Sequence, residues 1–216
     1  MNWINIRIFR SPLAGLGCAV LLVGLSPAGM SRSYPPNTAT EKKTAIFAGG
    51  CYWGVEAIYD HVKGVKSAVS GFAVGGDPPP SVQLRPGHTG YAESVRVTYD
   101  PSQITYDQLL ELFFTVVHDP SQLDRQGPDV GPQYRSTIFY QDEEQHQKAV
   151  AYLAHLDSAK TFPRPLVTEV VPLKSFKEAP ADQQDYSEHH PQEPYIKIND
   201  APKVEQLRRD YPALYQ

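Results

Sequence analysis

Along the chain the spacing of hydrophobic positions changes several times, and each change marks an element. Residues 44–48 are apolar and end at Gly49-Gly50, the pattern of a short buried strand followed by a turn. Val55, Ile58, Tyr59 and Val62 then fall at i, i+3, i+4 and i+7. That spacing predicts a helix with one apolar stripe, opening at Cys51 and stopped by Gly64. A second strand is expected over 66–73, and the glycines and prolines of 75–80 interrupt regular structure until Gly90. From Glu93 to Tyr99 the pattern alternates, with Val95 and Val97 opposite Ser94, Arg96 and Thr98, as in a strand with one solvated face. Thr105 and Gln108 form a capping-box pair ahead of residues 109–117, a run too apolar for a surface helix.

Residues 118–135 are polar and rich in Gly, Pro, Asp and Gln, a long loop of the kind that carries function. A strand over 137–140 follows. Asp142-Glu143-Glu144 then opens a helix with Ala149, Leu153 and Leu156 on one face, its acids matched to the helix dipole. Residues 166–171 read as a last strand. Beyond Ser175 the chain is polar, with scattered tyrosines and prolines and one short helix over 204–209, so it reads as a wrapping tail. This order predicts an α+β fold: a two-layer sandwich with a ferredoxin-like core, in which helices cover a mixed sheet.

The first thirty residues follow a different rule. Arg7 and Arg10 precede an apolar run over 13–25, and no acidic residue occurs before Glu41. A basic flank before a run too short to cross a bilayer core reads as a secretory signal, with small residues around Ser26-Pro27-Ala28 as the cleavage site. A retained anchor and a lipidated Cys18 are the alternatives. The expected division is a signal peptide (1–30), a polar linker (31–43) and one domain (44–216) whose tail starts near 176. The processed protein is expected in the periplasm or outside the cell, as a monomer without stable membrane insertion. A net charge of -4 with interspersed signs offers no basic stripe to nucleic acid, and the seven histidines show no metal-ligand spacing.

The sequence holds two cysteines, and loss of Cys18 with the signal leaves Cys51 alone, excluding an intrachain disulfide. A thiol at the first turn of a helix faces unpaired N–H groups and the positive dipole end, which favours thiolate and lowers its pKa. The plain alternative is a small buried hydrophobe. A cysteine hydrolase uses similar geometry but needs a histidine against the sulfur.

Gly49-Gly-Cys-Tyr-Trp-Gly-Val-Glu56 resembles the Gly-Cys-Phe-Trp-Gly signature of A-type methionine sulfoxide reductases. Two further blocks are similar in order, from Gly87-His-Thr-Gly-Tyr-Ala-Glu through Asp100-Pro101, and from His118-Asp-Pro-Ser-Gln through Tyr134-Arg-Ser136. The resemblance covers residues 43–175. It implies that Cys51 attacks the sulfoxide sulfur, that Glu93 protonates or hydrogen-bonds its oxygen, that Asp129 and Tyr134 help complete the oxygen site, and that Tyr52 and Trp53 hold the methyl group. A sulfoxide oxygen leaves poorly until protonated, so a carboxyl kept neutral by burial suits the task. The resemblance further implies no metal or organic cofactor, an external reductant that is a thioredoxin-like protein or a small thiol, and oxidised proteins or free methionine sulfoxide as substrates, hence protein repair under oxidative stress. Taken singly, each residue has a plainer reading: Trp53 as core, Tyr134 as a loop anchor, Glu93 as a solvated strand residue and Asp129 as a turn former.

Four departures stand out. Tyr52 replaces the usual phenylalanine. The loop over 77–87 offers no tyrosine for the family's substrate-facing position. An Asp-Tyr-His-Gln pattern is degraded to Ala181-Asp182-Gln183-Gln184, and C-terminal resolving cysteines are lacking. A cysteine hydrolase and a non-catalytic peptide-binding module remain the other readings.

Overall fold

A computed structural model describes residues 42–76 and 90–216. The signal segment, most of the linker, Cys18 and the loop over 77–89 lie outside the described residues. β1 (Lys43–Ala48) is the apolar stretch before Gly49-Gly50, and α1 (Tyr52–Asp60) follows Cys51 directly. Val55, Ile58 and Tyr59 are buried as their spacing predicts. The helix ends at Asp60 rather than running to Gly64: Val62 forms a bridge with Tyr215, and Gly64, at φ 91°, turns the chain into β2 (Val65–Gly75). β3 is Ala92–Tyr99.

α2 (Tyr106–Leu112) starts with the full capping box of Thr105 and Gln108. Its continuation, Phe113–Val117, widens into a π turn, and both pieces bury their apolar residues. The long loop that follows is more structured than its composition implies. It holds a small hairpin of β4 (Arg125–Gln126) and β5 (Asp129–Val130) and a 3-10 turn, Pro132–Tyr134. β6 (Thr137–Tyr140) and α3 (Glu143–Ser158), capped by Asp142, match expectation. The last strand does not: β7 spans Glu169–Glu178, starting later and running further than 166–171. Beyond Val171 it is covered irregularly, so it leaves no alternating apolar signal to read. After β7 come a 3-10 turn (Ala181–Gln183), α4 (Tyr186–His189), a π turn (Ile196–Asp200) and α5 (Ala201–Asp210).

The fold is α+β with a mixed sheet. In space β6, β1, β3 and β2 lie side by side with antiparallel pairings, the arrangement of a split β-α-β core. β7 then pairs antiparallel with β2 and parallel with β6, so the sheet closes into a five-stranded barrel instead of stopping at two open edges. Phe47 anchors the core, stacked on Tyr59 at 5.5 Å, Phe113 at 5.0 Å and Tyr106 at 6.1 Å between ring centres. Burying side chains of this size stabilises the fold by about 1.5–3 kcal/mol each. This packing fixes the ends of β1 and β3 and the start of α1, where the chemistry gathers.

Candidate active site

Cys51 is the residue before α1, extended at φ -59° and ψ 129°, with no side-chain capping bond. The two glycines ahead of it are required by close approach. Gly50 has φ 102°, and a side chain there would collide with Gln126, while a side chain at Gly49 would press on His118 and Phe113. His118 is itself locked: Nδ1 pairs with the Phe113 carbonyl at 2.8 Å and Nε2 with Ser136 Oγ at 2.6 Å, which meets Thr168 Oγ1 at 2.7 Å. Burial pulls its pKa down to about 4, so the ring is neutral. The loop carrying Gln126 and Asp129 is thereby held against the start of α1.

Glu93, from β3, accepts a hydrogen bond from the backbone N–H of Tyr52 at 3.2 Å, and its carboxyl lies close enough to the Cys51 thiol for each to act on the other's ionisation. Burial pushes Glu93 up to about 7, aided by the charge of Asp129, although the Tyr52 N–H and the Cys51 thiol work the other way. The expected lowering of the Cys51 pKa is overturned. Burial raises it and the Glu93 carboxylate raises it further, outweighing the Trp53 N–H directed at the sulfur. One of the free N–H groups at the helix start serves Glu93 instead of the thiol, so the dipole is shared between them.

Tyr134 ends the 3-10 turn, and burial followed by the Glu93 charge raises its pKa. Asp129, in β5, accepts a hydrogen bond from the Tyr195 hydroxyl at 2.5 Å. Cys51, Glu93, Asp129 and Tyr134 therefore share one electrostatic environment. The two aromatic residues are less uniform. Trp53 stacks on Tyr186 with ring centres 3.8 Å apart and meets Tyr195 edge-on at 5.9 Å. Its Nε1 is buried without a hydrogen-bond partner among the described residues. Tyr52 is buried, packs edge-on against Phe72 at 5.6 Å and donates its hydroxyl to Gln183 at 3.4 Å, away from the Cys51 crevice. Two of the family departures, at 52 and 183, thus touch each other.

The crevice beside Cys51 has a volume of about 70 Å³ and is lined by Gln126, Gly127, Pro128 and Asp129 on one side and by Tyr195, Asn199, Asp200 and Lys203 on the other. The second set comes from the C-terminal segment, which sequence patterning reads only as a tail. One signal is there in retrospect: Tyr186 and Tyr195 sit in a stretch too polar to build its own core, so their rings must cover apolar surface elsewhere. Asp200, 2% exposed, accepts from Ser187 Oγ and lies so close to Gly54 that a side chain there would strike its carboxylate. Burial raises Asp200 to about 6. Among the described residues no group of three or more His, Cys, Asp or Glu is arranged to hold a metal ion.

The sequence profile of the family described as peptide methionine sulfoxide reductase matches residues 43–214. A Mesorhizobium japonicum protein named peptide methionine sulfoxide reductase MsrA 2 is 50% identical over 178 residues, which cover 82% of this chain and 91% of that protein. A Natronomonas pharaonis protein named peptide methionine sulfoxide reductase MsrA is 44% identical over 169 residues, 78% of this chain and 94% of its own. Among solved structures, Mxr1 from Saccharomyces cerevisiae in reduced form superposes with a TM-score of 0.62 at 28% identity, over 74% of this chain and 90% of that one. Methionine sulfoxide reductase A of Corynebacterium diphtheriae gives 0.57 at 33% identity, over 70% and 76%. The profile begins at the first residue of β1 and runs past α5, the barrel and the site lie inside it, and the chain belongs to the peptide methionine sulfoxide reductase family, A type.

Proposed function

We propose that this chain reduces the S epimer of methionine sulfoxide, free or in peptides, with Cys51 as nucleophile and Glu93 as proton donor. The observation that carries the reading is the Cys51–Glu93 pair: a thiol stands within electrostatic reach of a carboxyl raised to about 7, and the two exchange a proton readily. Moving that proton to Glu93 yields a thiolate and a neutral acid, the two species the reaction consumes. Cys51 Sγ then bonds to the sulfoxide sulfur as Glu93 gives its proton to the oxygen. The S–O bond of the substrate breaks, the oxygen ends on Cys51 as a sulfenic acid, and methionine leaves reduced. Tyr134, and Asp129 with Tyr195 behind it, face the same oxygen, while Trp53 supplies aromatic surface for the methyl group and Tyr52, its hydroxyl turned to Gln183, packs behind it.

Cys51 is the cysteine among the described residues, and with Cys18 removed along with the signal segment an outside thiol resets the enzyme. It condenses with the sulfenic acid to give a mixed disulfide and water, and a second thiol equivalent releases Cys51. A thioredoxin-like protein or a small thiol fits this step. The basic flank and short apolar run over 7–25 support action after export, on oxidised proteins outside the cytosol.

Racemic methionine sulfoxide with dithiothreitol tests the reading. Conversion stops near half for a reductase of one epimer, and Cys51→Ser converts nothing while keeping its fold. Turnover in that variant, or full conversion by the native chain, overturns the assignment. Neither a hydrolase nor a peptide-binding module consumes sulfoxide, and no histidine among the described residues lines the Cys51 crevice as a hydrolase requires.

A further inference from the structure

Lys203 is the third residue of α5 and lines the Cys51 crevice. It is partly buried, and among the described residues its ammonium makes no hydrogen bond and no ion pair. An ammonium drawn away from water loses hydration, and here the charge of Asp200 offsets part of that loss without a direct bond. A charge placed this way fits a site that becomes negative only at another stage of its work.

The sulfur is the group that does so. In the resting thiol form it is neutral, and the acids around it oppose its ionisation: Glu93 from β3, Asp129 from β5 and Asp200 from the π turn. The hydroxyls of Tyr52, Tyr134 and Tyr195 complete the titratable surroundings. Lys203 is the cation among the residues lining the crevice, where Cys51 is also found and Glu93 is not. Its charge interacts with Cys51 and is not among those acting on Glu93. Burial lowers the pKa of Lys203, while Asp200, Cys51 and Asp129, in that order, hold it up.

We propose that Lys203 positions the shared proton: its ammonium stabilises negative charge on Cys51 Sγ more than on Glu93, so the proton moves from sulfur to carboxyl and the pair becomes thiolate and neutral acid. No atom is exchanged with Lys203, which acts through Cys51 without touching substrate. The proposal deepens the reductase reading but is measured independently of it, since alkylation of a thiolate needs no sulfoxide.

The test is the pH dependence of iodoacetamide alkylation at Cys51 in the full reduced chain, followed by mass analysis of the Cys51 peptide. Lys203→Met is expected to slow alkylation at pH 7 about tenfold and move its midpoint up by about 1, and Lys203→Arg is expected to stay near the native profile. If Lys203→Met unfolds, Lys203→Gln keeps a polar head in the crevice and carries the same expectation. A native profile in the neutral variant overturns the proposal. So does an arginine variant as slow as the neutral one, because the lysine would then serve packing and not charge. Failure of the racemic sulfoxide assay with an unchanged alkylation result would sink the reductase reading alone.

Discussion

Two regions build this site in opposite ways. The barrel and α1 supply Cys51 and Glu93 from paired strands and a buried helix, where each backbone position is fixed by the core. The segment after Glu178 supplies Tyr195, Asp200 and Lys203 from short turns and one ten-residue helix. Its docking depends on a few apolar anchors, Ile196 and Leu207, and on polar ties. Gln184 exchanges hydrogen bonds with the backbone of Ser70, and Glu56 accepts the N–H of Asp185 at 3.0 Å. On the proposed mechanism the reacting atoms thus sit on rigid elements, and the groups that would tune them sit on an appended strap. Chemistry should fail when the first region is altered, whereas rate and stability should slide when the second is.

The largest effect is expected at Glu93. Glu93→Gln keeps an acceptor for the Tyr52 N–H but removes the proton, and should slow single-turnover reduction about 10² to 10⁴-fold. Glu93 is an acid raised to about 7, so the native rate should fall as pH climbs through that value and the variant should lose this limb. The folded carboxyl also binds its proton more tightly than the unfolded one. Its stabilising contribution is therefore present below the ordinary value of 4.5 and is lost as pH rises through about 7. Rapid-quench assays across pH 5 to 9 check both; a pH-independent native rate would exclude Glu93 as the acid.

Next comes Gly54→Ala. Alanine is favoured over glycine inside a helix by about 1 kcal/mol, so a loosely held strap predicts a more stable protein. The new methyl group instead meets the Asp200 carboxylate, and the expected outcome is a loss of about 1–3 kcal/mol in denaturant unfolding. Stabilisation would show that the strap yields easily. Tyr195→Phe removes the donor to Asp129 and should cost about tenfold in rate with little change in fold. Steady-state kinetics with a sulfoxide peptide decide it, and a native rate would leave Asp129 independent of the strap. Tyr52→Phe is the smallest. Its hydroxyl is committed to Gln183, so turnover should stay within about threefold of native; a larger loss would place that hydroxyl in the chemistry.

The same contrast explains what could be read from the amino acids. The spacing of Val55, Ile58 and Tyr59 and the capping box at Thr105 and Gln108 are local signals, and the structure carries both. Cys51 and Glu93 were legible because the motif names them, and because a strand end and a helix start must meet where β1 turns into α1. The Cys51 pKa was not legible: local geometry argues for a fall, but burial and Glu93 arrive from residues distant in sequence. Tyr195, Asp200 and Lys203 were missed for a related reason. Their neighbours are polar, their turns lack periodicity, and their contacts with α1 span more than a hundred positions. Barrel closure escaped too, since half-covered β7 shows no alternation to announce a second partner.

That closure has a bearing on the company the protein keeps. Each of the five barrel strands has a neighbour on both sides, over part of its length where β7 joins β2 and β1 joins β6, so none presents a wholly bare edge to a passing chain. Oxidised polypeptides that have lost their packing propagate by adding themselves to exposed strand borders. A repair enzyme meets such clients repeatedly and at close range. A closed barrel gives such material fewer edges on which to build than an open sheet would.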